Sequence, residues 1–193
     1  VKPDATFKNI TVYKPDEIAC LLSHLDRPFG VAIAILLYAG LRSEEVMGLR
    51  WRDIDRKNRT ITVRRVITRV SKGEFAPMDV TKNERVRVVT YGEQLAAVLA
   101  DAPKTSIYVV PAVRGGYMTP GSFRRQYDNF FKGLTVRRLS PHKLRHTYAT
   151  YLIKGGAELR AVQTLLGHSS VKVTEIYTHV DTEDQRRASQ KLA

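Results

Sequence analysis

Residues 140–151 read Ser-Pro-His-Lys-Leu-Arg-His-Thr-Tyr-Ala-Thr-Tyr and predict the start of a helix. Ser140 places a hydroxyl immediately before Pro141, an arrangement typical of a helix N-terminus because proline there loses no intrahelical hydrogen bond. His142 and Arg145 lie three residues apart and therefore share one face of that first turn. A helix N-terminus carrying these two side chains suits a phosphate group. A solvated helix start is the simpler interpretation of this motif when it is taken alone.

Apolar residues at helical spacing predict further helices on both sides of this stretch. The predicted helices span 15–26, 28–39, 43–49, 92–101, 120–133, 141–154, 159–166 and 171–178, with a polar tail helix after Thr182. The 28–39 segment is apolar all round, which indicates a helix buried on every side.

A two-residue period between 58 and 90 predicts β-structure. Residues 60–64 and 85–88 alternate, and 66–80 reads as a middle strand with Gly73 at one turn. The fold class is therefore α+β, mainly α: a single helical domain with a small three-stranded antiparallel β-sheet on one edge. Arginines expected at outward positions of this sheet are Arg64, Arg65, Arg69, Arg85 and Arg87. We expect an entry linker at 1–13, the domain at 14–180 and a tail at 181–193.

The charge balance indicates a polyanionic partner. Lys and Arg number 32 against 19 Asp and Glu, a formal net charge of +13. Nucleic acid is the favoured partner over an acidic membrane surface, and a basic protein without either partner stays an alternative. The longest apolar run, 31–39, is too short to span a bilayer. A single cysteine, Cys20, is expected to be a reduced core residue in a cytoplasmic protein.

The carboxylates are scattered along the chain, and no H-E-x-x-H or C-x-x-C spacing occurs. We therefore expect no metal and no organic cofactor. If the chain cleaves phosphodiesters, the metal-free route needs a nucleophile, cations for the transition state and an acid for the leaving oxygen.

Further motifs accompany the H-x-x-R pair. Residues 39–45 read Ala-Gly-Leu-Arg-Ser-Glu-Glu, with Trp51 and Asp53 beyond them; 81–83 read Thr-Lys-Asn; and 166–168 read Leu-Gly-His, followed by Tyr177. Together with His142 and Arg145, these segments resemble the catalytic-domain signature of the tyrosine recombinases, or phage-type integrases. The match covers nearly the whole chain in the family's order, which makes it far more specific than any single motif.

The resemblance implies a role for each matching residue. Arg42 and Arg145 would hold the non-bridging oxygens of the scissile phosphate, since a guanidinium binds oxyanions in a fork and stays charged. Tyr177 would attack the phosphorus, although taken alone it is one of nine tyrosines, most of them expected to be structural. His168 would donate to a phosphate oxygen. His142 would bond the phosphate or help manage the tyrosine proton.

The resemblance also implies an acid and a supporting carboxylate. Lys82 would protonate the leaving 5′ oxygen, and Lys72 is its competitor because the sequence does not fix the hairpin register. Glu45 would orient Arg42 or His142 without contacting the phosphate itself. The alternative is an ordinary exposed helix glutamate. Four further residues near these motifs are expected either to contact the DNA backbone or to be structural: Arg138, Lys143, His146 and His179. Arg138 and Lys143 are favoured as DNA contacts. His146 is expected to be a buried helix histidine.

These roles imply DNA strand cleavage and rejoining by transesterification through a 3′-phosphotyrosyl intermediate, without metal or ATP. Two alternatives stay open: a type IB topoisomerase and a non-catalytic DNA-binding module. The implied partners are double-stranded DNA and further copies of the chain, as a homotetramer on DNA and mainly a monomer in free solution. The resemblance implies that the tail, 181–193, docks on a neighbouring protomer, whereas its composition is equally consistent with a frayed end.

Overall fold

The structure, a computed structural model, describes residues 11–79 and 86–166. Its helices are α1 (Pro15–Leu22), α2 (Gly30–Tyr38), α3 (Ser43–Gly48), α4 (Glu93–Asp101), α5 (Pro120–Phe131), α6 (Pro141–Lys154) and α7 (Leu159–Leu166). Its strands are β1 (Ile54–Asp55), β2 (Thr60–Val63), β3 (Arg65–Ser71), β4 (Glu74–Asp79) and β5 (Arg87–Thr90), with a 3₁₀ turn at Trp51–Asp53. The helices predicted at 171–178 and after Thr182 lie outside the described residues.

The central element is α2, which packs against α3, α4 and α6. Seven of its nine residues are buried, as the all-round apolar pattern predicted. The fold class predicted from the sequence is confirmed: the described chain is mostly helical, with small antiparallel sheets. No described helix is both long enough and apolar enough to cross a membrane.

Two predicted boundaries shift. The first helix, α1, ends at Leu22 rather than near residue 26, and a series of turns follows it. Tyr13, placed in the entry linker, is fully buried; its backbone N–H donates to Thr147 Oγ1 at 3.1 Å, and its hydroxyl accepts from the backbone N–H of Leu139 at 2.9 Å. The packed domain therefore already includes Tyr13. Cys20, expected in the core, is only partly buried.

The β-structure between 54 and 90 differs from the predicted single sheet. The three-stranded sheet has the order β1-β2-β5, while β3 and β4 form a separate two-stranded hairpin around Gly73. The prediction of 66–80 as a middle strand is wrong because this stretch folds back and pairs with itself. The β3 strand packs against α3, which joins the hairpin to the helical core.

The predicted outward orientation of the arginines is wrong at two positions. Arg65 is 8% exposed and pairs with Asp79 at 3.0 Å. Arg87 is 12% exposed and binds Glu45. Arg64 and Arg69 are exposed, as predicted, and Arg85 lies outside the described residues. Long-range carboxylate partners hold the two inward guanidinium groups.

Candidate active site

The start of α3 and the start of α6 face each other across a small cleft. Its volume is about 260 Å³, and the residues that line it are Leu41, Arg42, Ser43, Glu44, Pro141, His142 and Arg145. The cleft therefore brings together three of the residues predicted from the two motifs. Because Pro141 is the first residue of α6, the positive end of this helix dipole also points into the cleft. Ser140, however, makes no side-chain cap hydrogen bond.

Arg145 is the innermost of the three and is 2% exposed. Its Nη1 donates to the backbone oxygen of Gly40 at 2.6 Å, and its Nη2 donates to the backbone oxygen of Leu166. One guanidinium thus joins the turn before α3, the first turns of α6 and the end of α7. Two fixed acceptors hold the group in one orientation, which favours a preorganised anion site.

Gly40 is required by the geometry of this turn. Its φ is +60°, a left-handed conformation that side-chain-bearing residues adopt at a cost. A Cβ added there would lie 2.3 Å from Cδ1 of Tyr148. The carbonyl that holds Arg145 therefore belongs to a residue that cannot carry a side chain without displacing Tyr148.

Arg42 lies immediately before α3, and its side chain is 33% exposed. Its backbone N–H donates to Glu45 Oε2 at 2.7 Å, and its Nη1 lies 3.3 Å from Glu45 Oε1. The carboxylate at the third helical position thus reaches back to the residue before the helix, as in a capping box. Part of the Arg42 side chain is left facing the cleft.

Glu45 is 2% exposed, so it is not the exposed helix glutamate that the sequence left open. Arg87 on β5 binds it with two parallel hydrogen bonds of 2.7 Å each. Burial raises the pKa of Glu45, but the hydrogen bonds and the positive charge of Arg87 lower it by more. The hydrogen bond from the Arg42 backbone N–H and the charge of Arg145 lower the pKa further. The pKa of Glu45 therefore lies below its ordinary value and the group is a carboxylate. This pairing of Glu45 with Arg87 was not predicted from the sequence.

His142 lies at the rim of the cleft, with its ring 4.4 Å from that of His146, centroid to centroid, and nearly perpendicular to it. Desolvation lowers the pKa of His142, and the charges of Arg145, Lys143 and Arg42 lower it further, against a small opposing effect of Glu44. The ring is therefore neutral at neutral pH and can accept a proton. His146 is partly buried, whereas the sequence predicted it to be buried.

The remaining predicted DNA contacts lie on different elements. Arg64 pairs with Asp53 at 3.0 Å, and Arg69 stacks over Phe75. Arg138 binds Asp128 through Nε at 2.6 Å. Lys143 lies on α6 beside His142. Among the described residues no cluster of three or more His, Cys, Asp or Glu side chains is arranged to hold a metal ion.

Four predicted site residues fall on segments outside the described ranges: Lys82, His168, Tyr177 and Arg85. His179, expected to contact the DNA backbone or to be structural, also lies outside them. Two of these segments adjoin described elements. Leu166, whose carbonyl binds Arg145, is followed two residues later by His168, and β5 begins five residues after Lys82.

Solved structures share this fold. The integrase of the Tn1549 transposon, determined in complex with circular intermediate DNA, superposes with a TM-score of 0.73 at 23% identity, over 100% of this chain and 70% of that one. The XerA recombinase gives a TM-score of 0.73 at 24% identity, over 98% and 66% of the two chains. The fold is thus that of integrase and recombinase structures.

Sequence comparison defines the family. The model of the phage integrase family matches residues 12–184, so the chain belongs to the phage integrase family. It is 38% identical over 156 residues to tyrosine recombinase XerC of Myxococcus xanthus, covering 79% of this chain and 50% of that protein. It is 34% identical over 185 residues to tyrosine recombinase XerD of Rickettsia conorii, covering 89% and 60%. The chain spans about half to three fifths of the length of these relatives.

Proposed function

We propose that this chain is the catalytic domain of a tyrosine-type site-specific DNA recombinase. The observation that carries the proposal is the cleft in which Arg42, His142 and Arg145 meet at the N-terminus of α6. Two guanidinium groups and a helix dipole supply positive charge where a phosphodiester would gain negative charge during substitution. Membership of the phage integrase family and similarity to XerC and XerD support the same reaction.

In the proposed reaction, the Tyr177 hydroxyl oxygen attacks the scissile phosphorus and loses its proton, for which neutral His142 is a suitable acceptor. The bond from phosphorus to the 5′ oxygen breaks, and Lys82 gives that oxygen a proton. Arg42, Arg145 and His168 bind the non-bridging oxygens. A 5′ hydroxyl from another strand then attacks the 3′-phosphotyrosyl bond and releases the tyrosine, so phosphodiester bonds are conserved and no ATP is used.

Double-stranded DNA is the proposed partner. The net charge of +13 and the DNA bound in the solved structure of the Tn1549 integrase support this proposal. Exposed or partly exposed residues proposed to contact phosphates are Arg64, Arg69, Arg138 and Lys143. Arg65 and Arg87 are not included, because both side chains are largely buried and each is paired with a carboxylate. We further propose that the chain forms a tetramer on DNA, in which residues 181–193 dock on a neighbouring protomer. The proposed location is the cytoplasm, and the proposed origin is bacterial or phage.

The experiment that tests this function is covalent trapping. A nicked duplex that loses a short strand after cleavage should accumulate a protein–DNA adduct with the 193-residue chain, and the adduct should form in EDTA. Tyr177→Phe should abolish the adduct while DNA affinity stays nearly unchanged, because the substitution removes a hydroxyl and no charge. Adducts that persist in Tyr177→Phe would exclude this nucleophile. Relaxation of supercoiled DNA without exchange between two sites would favour the topoisomerase alternative.

A further inference from the structure

The Glu45 carboxylate lies between two guanidinium groups that it binds unequally. Arg87 donates two hydrogen bonds of 2.7 Å to its two oxygens, whereas the side chain of Arg42 makes one longer contact of 3.3 Å. Arg87 is 12% exposed and Arg42 is 33% exposed. The strong, desolvated pair is therefore Arg87–Glu45, and the Arg42 side chain lies at its edge, toward the cleft.

A buried carboxylate requires a positive partner, because its desolvation is costly without one. If Arg87 were neutral, the cation left in contact with Glu45 among the described residues would be Arg42, with Arg145 acting over a longer distance. Arg42 would then be drawn into a close pair with Glu45 and away from the cleft. The presence of Arg87 removes that attraction.

We propose that Arg87 is a positioning residue for strand cleavage: by binding Glu45, it keeps the Arg42 guanidinium available to the scissile phosphate. This role rests on the proposed recombinase function. It assigns Arg87 to the support of the active site rather than to DNA contact, and it connects β5 to the turn that carries Arg42.

The test measures single-turnover cleavage of the trapping substrate at saturating DNA. Arg87→Gln should cleave roughly 100-fold more slowly, since a small displacement of a group that binds the phosphate has effects of this order. DNA affinity should change little, because the Arg87 side chain is 12% exposed and is bound to Glu45. The double variant Arg87→Gln/Glu45→Gln should recover much of the lost rate, since a neutral amide in place of the carboxylate no longer attracts Arg42. Arg87→Lys, which keeps the charge but not the fork, should be intermediate.

A matched control is Arg59→Gln, which removes an exposed pair with Glu93 at a similar 3.3 Å separation and should cleave at the rate of the unaltered chain. Circular dichroism and thermal melting establish that each variant is folded at the assay temperature. If Arg87→Gln does not fold, the cleavage rate of Arg87→Lys relative to that of the unaltered chain tests the proposal instead.

Two results would overturn the proposal. The first is cleavage at the unaltered rate by folded Arg87→Gln, or by Arg87→Lys if Arg87→Gln does not fold. The second is a double variant Arg87→Gln/Glu45→Gln that cleaves no faster than Arg87→Gln. The second result would mean that Arg87 affects cleavage by a route other than the attraction of Glu45 for Arg42. Absence of adducts with the unaltered chain would overturn the recombinase function itself, and the role of Arg87 with it.

Discussion

Arg145 donates a hydrogen bond of 2.6 Å to the backbone oxygen of Gly40, a residue 105 positions earlier in the chain. This contact joins two sequence motifs that lie far apart along the chain. It also explains why a buried arginine suits this position, since a second nitrogen of the same group reaches the carbonyl of Leu166. A planar fork can serve two acceptors in fixed directions, which a lysine ammonium on a flexible stem cannot reproduce.

Arg145→Lys should therefore lose cleavage while retaining most DNA affinity. The charge is preserved, but one ammonium cannot hold both carbonyls and bind a phosphate oxygen in the same geometry. We expect a loss of roughly 100-fold or more in single-turnover rate, the effect typical of removing one donor from an oxyanion site. The control is Arg59→Lys at an exposed position with no assigned role at the site, which should cleave normally. Cleavage by Arg145→Lys at the control rate would contradict the assigned role.

Gly40→Ala should destabilise the domain and slow cleavage together. The left-handed backbone alone costs about 1–2 kcal/mol of unfolding free energy for alanine. The new Cβ would also lie 2.3 Å from the Tyr148 ring, and moving that ring would shift the carbonyl that holds Arg145. Chemical denaturation and trapping assays measure the two effects.

Gly133→Ala is the matched control for Gly40→Ala. Gly133 has a φ of +75° but no atom within 4 Å of an added Cβ, so its substitution tests the backbone cost alone. Gly40→Ala should lose more stability than Gly133→Ala, and Tyr148→Ala added to Gly40→Ala should restore part of the difference. Equal losses at the two glycines would show that the overlap with Tyr148 has no energetic effect.

Much of the helical framework followed from local pattern, because apolar spacing and proline at the first helical position act within one segment. The β-structure was less predictable. In β5, Val88 is 56% exposed while Arg87 is 12% exposed and lies on the same face as buried Val89. Simple alternation would place the valine inside and the arginine outside. The order is inverted because Arg87 finds Glu45, 42 residues away, and such a partner is not visible in a local pattern.

The side chains of the candidate site could be predicted from sequence motifs, whereas the backbone groups that hold Arg145 could not. The residues Arg42, His142 and Arg145 meet in one cleft, as the motifs led us to expect. The carbonyl groups of Gly40 and Leu166 carry no residue-specific signal, so their contacts with Arg145 required the fold. The same-face spacing of Arg87 and Val89 was a usable signal for an inward arginine, since residues two apart on a strand share a face.

The pKa of His142 gives a pH-dependent prediction. Because the folded environment lowers this pKa, the folded state disfavours the protonated ring. The stability contribution of neutral His142 is thus present above the ordinary histidine pKa of about 6.5 and is lost as the pH falls below it, where the unfolded chain takes up the proton first. The unaltered chain should lose stability relative to His142→Gln as the pH decreases from neutral.

Denaturation of the unaltered chain and His142→Gln across this pH range measures the difference, with His146→Gln as the control for the neighbouring ring. If His142 accepts the tyrosine proton, cleavage should also decline at low pH, but only once the pH falls to the lowered pKa of His142 in the folded chain. A nuclear magnetic resonance titration that places the pKa of His142 at or above its ordinary value would refute the prediction.

The acid that protonates the leaving oxygen gives the last prediction. Lys72 lies exposed at the turn between β3 and β4, and Lys82 lies on the segment between β4 and β5, outside the described residues. We predict that Lys82→Ala cleaves an ordinary phosphodiester poorly and that Lys72→Ala cleaves it normally. A substrate with sulfur at the 5′-bridging position should restore cleavage by Lys82→Ala, because a thiolate leaves without protonation. The same substrate should give Arg145→Lys no such recovery, since that variant lacks the correctly oriented phosphate-binding fork rather than a proton. An equal defect of Lys82→Ala on both substrates would exclude Lys82 as the acid, and sulfur rescue of Lys72→Ala would assign that role to Lys72.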